Sequence, residues 1–209
     1  MGIAREGYPL IFSAVVLAVV AFALGWNWLG LSLGLLTAAF LGFFRDPERV
    51  PPPGDDSILS PADGRVVGIG PVDKGGVFDD AGIAVSIFLS PLDVHVNRAP
   101  VNGKVEEVRY RKGHFFAAYK EVASRRNEQN AMRIADAKGR RVGVIQIAGV
   151  LARRIVCYVK AGDSLARGQR VGMIMFGSRV DAFLPAGSRV EVAEGERVKG
   201  GETVIGRFS

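Results

Sequence analysis

Ser60-Pro61-Ala62-Asp63-Gly64-Arg65-Val66-Val67 returns in altered form as Ala99-Pro100-Val101-Asn102-Gly103-Lys104-Val105-Glu106. Each copy reads as a Pro-x-x-Gly turn feeding a strand, because proline presets one turn dihedral and glycine accepts those that other residues avoid. A second pair lies downstream. Ala161-Gly162-Asp163-Ser164-Leu165-Ala166-Arg167-Gly168-Gln169-Arg170-Val171-Gly172 is matched by Ala193-Glu194-Gly195-Glu196-Arg197-Val198-Lys199-Gly200-Gly201-Glu202-Thr203-Val204, with glycines six positions apart in each. Self-similarity of this kind marks repeated supersecondary units. Between these units, Arg65–Ile69, Ile83–Leu89, Lys104–Tyr110, Arg141–Ile147 and Arg154–Val159 are Val- and Ile-rich and punctuated by Gly and Pro. They read as strands. Glu121–Met132 is polar and fits either a short helix or a loop.

The expected fold is therefore mainly β (α+β overall), with a catalytic domain like the barrel–sandwich hybrids of biotinyl and lipoyl carriers. That likeness concerns architecture and not activity. Upstream, Pro51-Pro52-Pro53-Gly54-Asp55-Asp56 is a linker by composition. Before it, Gly7 to Phe44 forms 38 consecutive residues without Asp, Glu, Lys or Arg. One upright membrane helix needs only ~20 apolar residues. Trp26-Asn27-Trp28 divides the run, and Trp favours the membrane–water interface. The pattern predicts a transmembrane helical hairpin, with Arg5 flanking one end and Arg45 and Arg49 the other. Both ends then share a face, and the positive-inside tendency assigns that face to the cytoplasm. The expected layout is an anchor over 1–46 and a catalytic domain over 47–209. A cleaved signal peptide fits less well, because the apolar run is too long and lacks a small-residue cleavage site. A buried soluble hairpin is the other reading.

The 209-residue chain carries a formal net charge of +6. That balance suits an anionic lipid surface, simple solubility or nucleic acid, but no nucleic-acid motif accompanies it. Cys157 is the single cysteine, so no internal disulfide forms, as suits a reducing compartment. Within Ile155-Val156-Cys157-Tyr158-Val159 it reads as a small buried side chain. Two histidines and one distant cysteine make a poor zinc set, which argues against a zinc peptidase and predicts no metal.

Three residues carry the chemistry that this chain suggests. In Met175-Phe176-Gly177-Ser178-Arg179-Val180-Asp181, the hydroxyl of Ser178 adjoins the carbonyl of Gly177. Attack there forms an ester, and β-elimination of that ester converts the serine into an amino-terminal pyruvoyl group. A Gly-Ser step alone is an ordinary turn. His95 lies in Leu92-Asp93-Val94-His95-Val96-Asn97-Arg98-Ala99-Pro100, where a near-neutral pKa suits proton transfer; a structural imidazole is the alternative. Asp63 is a turn residue by its Asp-Gly step, or else the group that orients His95 against Ser178. His114 reads as a structural polar residue at a loop edge.

Taken together, Phe44-Arg45-Asp46-Pro47, Ser60-Pro61-Ala62-Asp63-Gly64, Leu92 to Pro100, Asn127-Glu128-Gln129-Asn130 and Phe176-Gly177-Ser178 resemble the short form of phosphatidylserine decarboxylase proenzymes, in order from about Phe44 to Leu184. The resemblance implies that Asp63 and His95 activate Ser178 and that the chain splits between Gly177 and Ser178. The products would be a β chain of 1–177 and an α chain of 178–209. The α chain would begin with the pyruvoyl group, the covalent cofactor. That group would hold the amine of an anionic membrane phospholipid, phosphatidylserine, and take up the electron pair left by carbon dioxide. Longer family members have a second histidine where this chain has Arg98, which cannot act as a base. Arg98 and Asn97 are candidates for substrate binding, with a structural ion pair the other reading of Arg98. The Asn127–Asn130 cluster lines the site or forms a solvated loop. A homo-oligomer is compatible with the sequence. A membrane-anchored carrier or adaptor domain is the alternative function, although Phe176-Gly177-Ser178 stands where a carrier needs its attachment lysine.

Overall fold

The computed structural model describes residues 2–74, 77–78, 80–116, 126–149, 154–175 and 178–209. The chain divides into two compact units, Met1–Glu48 and Arg49–Ser209.

The first unit is a helical hairpin. It runs β1 (Gly2–Ile3), α1 (Tyr8–Ala23), α2 (Asn27–Phe43) and β2 (Arg45–Asp46). Pro9 stands in the first turn of α1, where a missing N–H costs nothing. The helices turn at Gly25, whose φ of +77° is open to glycine without strain. Ala14, Ala18 and Ala21, spaced to share one helix face, are buried. The Phe22 ring lies against Gly30, where a Cβ would come within 2.8 Å of it. The outward faces are also apolar: Phe12, Leu17, Val19, Trp28 and Leu35 are all exposed. At the base, β1 pairs antiparallel with β2, which sets Ile3 opposite Arg45. Arg5 and Arg45 therefore flank the same end of the hairpin. The stretch Arg5–Ala23 is long and apolar enough to cross a membrane, whereas α2 is shorter.

The second unit is β-rich. Its strands in chain order are β3 (Ser57–Leu59), β4 (Gly64–Val72), β5 (Gly82–Leu89), β6 (Val96–Arg98), β7 (Gly103–Arg111), β8 (Gln129–Ala135), β9 (Arg141–Ala148), β10 (Ile155–Cys157), β11 (Ser164–Leu165), β12 (Arg170–Ile174), β13 (Ser178–Pro185), β14 (Arg189–Val190), β15 (Arg197–Val198) and β16 (Val204–Arg207). Among the described residues they form a curled eight-stranded sheet, β11-β7-β8-β9-β13-β5-β4-β15, and two three-stranded sheets, β10-β12-β6 and β14-β16-β3. Antiparallel register places Val85, Ile87, Val144, Val180, Ala182 and Leu184 on one face, and all are buried in a common core.

The repeats read from the sequence combine into two halves related by a pseudo-twofold. Read inward from either end, the large sheet runs β11-β7-β8-β9 and β15-β4-β5-β13, and the two small sheets match strand for strand. The hydrogen bonds repeat as well. Gly162 N donates to Val105 O and Val105 N to Asp163 O; in the other half, Gly195 N donates to Val66 O and Val66 N to Glu196 O. The halves also clasp each other, since Leu59 N donates to Pro100 O and Arg98 N donates to Pro61 O. Each copy breaks register at the same point, Val66/Gly68 in β4 and Val105/Glu107 in β7.

Three details differ from the sequence expectation. Residues Gln129–Met132, read as helix or loop, lie in β8, while 121–125 fall outside the described residues. The strand expected over Arg154–Val159 is limited to Ile155–Cys157. Cys157 is half-buried rather than buried, with its thiol directed at the Val159 carbonyl, 3.2 Å away.

Candidate active site

Ser178 opens β13, facing Leu89 on one side and Ala148 on the other. Period-two alternation puts its side chain on the same interior face as Val180 and Ala182. The residue is fully buried, and among the described residues its Oγ has no hydrogen-bond partner. A buried hydroxyl without a partner costs ~1–3 kcal/mol, so its retention points to use. Phe176 and Gly177 lie outside the described residues.

His95 stands beside the segment leading to Ser178. Its carbonyl accepts from Ile174 N at 3.3 Å, at the end of β12. The imidazole is fully buried. Its Nδ1 lies 2.9 Å from the carbonyl of Asp93. A carbonyl only accepts, so Nδ1 carries the proton in the neutral ring and Nε2 is left as the base. The turn supplying that carbonyl is itself fixed, because Asp93 N donates to Ser90 O and Ser90 N to Asp93 Oδ2.

Asp63 occupies the adjoining turn, held against β6 by the Arg98-to-Pro61 bond. Its Oδ2 accepts from Arg49 Nη2 at 2.7 Å, and its Oδ1 from Gly200 N at 2.8 Å. Among the described residues its hydrogen bonds go to these groups and not to His95. Burial raises its pKa above the ordinary carboxylate value of 3.8, while the Gly200 N–H and the Arg49 charge pull it back. Arg49 is shared with Glu202 at 3.1 Å.

Arg98 is buried and donates to the Gly168 carbonyl at 3.0 Å, which gives it a packing role. Asn97 is fully buried in an amide chain. Asn130 Nδ2 donates to Gln146 Oε1 at 2.8 Å, and Gln146 Nε2 donates to Asn97 Oδ1 at 2.8 Å. The remaining Asn97 Nδ2 is buried with no partner among the described residues. Asn127 is also buried and braces the neighbourhood of Ser178. It donates to Phe116 O and Ala148 O, each at 2.7 Å, and accepts from Phe116 N at 2.9 Å. The 127–130 cluster is buried throughout, so it is not a solvated loop. His114 is exposed, and its backbone bridges to Asn127. Gln146 escaped the sequence reading. Its signal was a glutamine at an inward position of the alternating run Val142, Val144, Gln146.

A cleft of about 440 Å³ lies at the far end of β13, lined by Arg140, Phe183, Pro185 and Phe208. Arg140 there is tied to Asp56 and Asp136 and stacks on Phe208. That end holds none of the groups just described.

The chain matches the family model described as phosphatidylserine decarboxylase over residues 36–206. It is 46% identical over 204 residues to a protein of Aromatoleum aromaticum, covering 97% of this chain and 94% of that one. It is 46% identical over 207 residues to one of Nitrosomonas eutropha (99% and 95% covered) and 43% identical over 209 residues to one of Geobacter metallireducens (98% and 95%). All three bear the name phosphatidylserine decarboxylase proenzyme.

Proposed function

This chain belongs to the phosphatidylserine decarboxylase family, and on that premise we propose that it converts phosphatidylserine to phosphatidylethanolamine, using a pyruvoyl group that it makes from its own Ser178. The carrier alternative finds no support among the relatives. The observation that carries the reading is the buried Ser178 Oγ, without a partner among the described residues, together with a buried imidazole of fixed tautomer whose backbone bonds Ile174, four residues before Ser178. His95 Nε2 takes the hydroxyl proton as Oγ adds to the Gly177 carbonyl. The Asp93 carbonyl holds the ring in orientation. Asp63, held by Arg49 and Gly200, would supply negative charge that favours the imidazolium. Cleavage then gives a β chain of 1–177 and an α chain of 178–209.

A small carbonyl group at position 178 would supply an electron sink for the lost carboxylate. Around it, the chain's residues exclude water: Leu89, Ala148 and Ile174 are fully buried. Asn97 remains a candidate for contact with the substrate, and Arg98, bonded to the Gly168 carbonyl, would act through its packing. The catalytic unit has the barrel–sandwich-hybrid architecture. The apolar exterior of the hairpin supports a membrane anchor, and the flanking arginines favour a catalytic unit on the cytoplasmic side of the cell membrane.

Intact-mass measurement tests this. The purified protein is expected as two chains, with a carbonyl at the start of the shorter one that borohydride reduces. Ser178→Ala is expected to remain a single inactive chain. A wild-type polypeptide continuous through 177 and 178 while folded and active would refute the proposal.

A further inference from the structure

The pseudo-twofold exposes an asymmetry in the core. Superposing the halves by their strand pairing equates Asn97 with Ile58, because Asn97 faces Gly172 as Ile58 faces Gly206. It likewise equates Gln146 with Leu184 and Asn130 with Ile83, through the β8–β9 and β5–β13 registers. The packing is conserved where the chemistry is not. A Cβ on Gly206 would meet Leu184 Cδ2 at 2.6 Å, and one on Gly172 would meet Gln146 Nε2 at 2.8 Å. One half fills these places with three aliphatic side chains, so the fold does not require amides there. The other half buries three amides in series and leaves the last N–H without a described partner.

That chain has a direction. Asn130 donates to Gln146, Gln146 donates to Asn97, and each bond polarises the next. The terminal Asn97 Nδ2 is consequently a fixed donor in a dry interior. Gln146 lies two residues from Ala148 on the same face of β9, and Ala148 faces Ser178. Asn97 Nδ2 and Ser178 Oγ are thus two buried polar atoms without a partner among the described residues, one on the side chain that bonds Gln146 and the other opposite Ala148, two residues further along β9. A hydroxyl oxygen there becomes the bridging oxygen of the Gly177 ester. Elimination removes the α-proton of residue 178 and breaks its Cβ–Oγ bond. The electron pair leaves on the Gly177 carboxylate. The resulting enamine tautomerises, and water hydrolyses it with release of ammonia.

We propose that Asn97 Nδ2 donates to this departing carboxylate oxygen, and that Gln146 and Asn130 are positioning residues that aim it. The proposal rests on the assignment of Ser178 above. Because the donor acts on the leaving oxygen, its loss stalls maturation after the ester has formed, not before.

The test uses full-length protein carrying Asn97→Ile or Gln146→Leu, each replacing an amide by its counterpart in the other half. Losing one preorganised donor slows a step by about a hundredfold or more. The Asn97→Ile chain is expected to accumulate as an ester. Hydroxylamine then splits it into a 1–177 hydroxamate and a 178–209 fragment with intact amino-terminal serine. Gln146→Leu should do the same more weakly, since it leaves Asn97 present but unaimed. Unfolding midpoints in a Ser178→Ala background should be no lower than that of the parent. Maturation at the wild-type rate in both variants would overturn the proposal. So would a folded Asn97→Ile chain that resists hydroxylamine, and so would a variant that fails only because it unfolds. Absence of cleavage in the wild type would instead remove the assignment of Ser178 itself.

Discussion

Asp63 is subject to opposing demands. Burial favours its neutral form, and Arg49 with the Gly200 N–H favours the carboxylate. Asp93, itself 3.5 Å from Arg197, adds a repulsive charge nearby, and Glu202 competes for Arg49. If the carboxylate is the form that supports His95, self-cleavage falls as pH drops through the Asp63 pKa, which lies above 3.8. The sign for Arg49→Met follows. Without the guanidinium the charged form keeps the Gly200 N–H but loses its ion-pair partner, the pKa rises further, and the acid limb of the cleavage rate moves to higher pH. Rates of conversion of purified precursor from about pH 4 to 8 measure this, a window set by ordinary carboxylate and histidine titration. An unmoved limb would show that Asp63 does not govern the step. The same raised pKa makes ionised Asp63 a cost to folding. Its contribution is most favourable below the unfolded-state pKa and is lost as pH rises through the folded one.

At the scale of elements, two glycines do the same packing work for different purposes. Gly206→Ala would drive a methyl against Leu184 and the Arg189 carbonyl, and Gly172→Ala against Gln146 and the Val156 carbonyl. Overpacking of this kind costs ~1–3 kcal/mol. Both variants should therefore unfold at lower denaturant in an uncleavable background. Only Gly172→Ala should also slow maturation, because it displaces the amide chain; equal slowing in both would mean that packing alone sets the rate. The turn–strand repeats were legible because they are local: Pro and Gly within eight residues decide the first pair, and glycines six positions apart the second. β8 was not legible, because Gln129 and Asn130 place polar groups on buried positions and defeat the alternation that marks a strand. Ser178, His95 and Asp63 were visible as types in suggestive company. The Gln146–Asn97 bond spans 49 residues of sequence, and no local pattern announces such a contact.

The whole molecule joins this β unit to a hairpin whose exterior is as apolar as its interior, and water does not favour that surface. Electrostatic adhesion and insertion separate cleanly in salt. At 1 M the Debye length is ~3 Å, so a protein held only by its +6 charge would leave the membrane, whereas an inserted hairpin stays. Retention in the vesicle pellet at that salt is expected. Span length sharpens the test. At 1.5 Å per residue, the 19-residue stretch Arg5–Ala23 reaches about 28 Å and the 17-residue α2 about 26 Å, slightly under the ~30 Å hydrocarbon core. Local thinning of the bilayer accommodates a deficit of that size at fractions of a kcal/mol per Å. The hairpin should therefore cross completely, with Asn27 emerging on the far side. In a Cys157→Ser background, single cysteines at Glu6 and Glu48 should react with an impermeant maleimide from the cytoplasmic side alone. A cysteine at Asn27 should react from the opposite side alone. Should Asn27→Cys stay unlabelled from outside while the protein resists salt extraction, the hairpin dips into the bilayer and returns, and the Trp26–Trp28 turn lies within the membrane instead of at its outer interface.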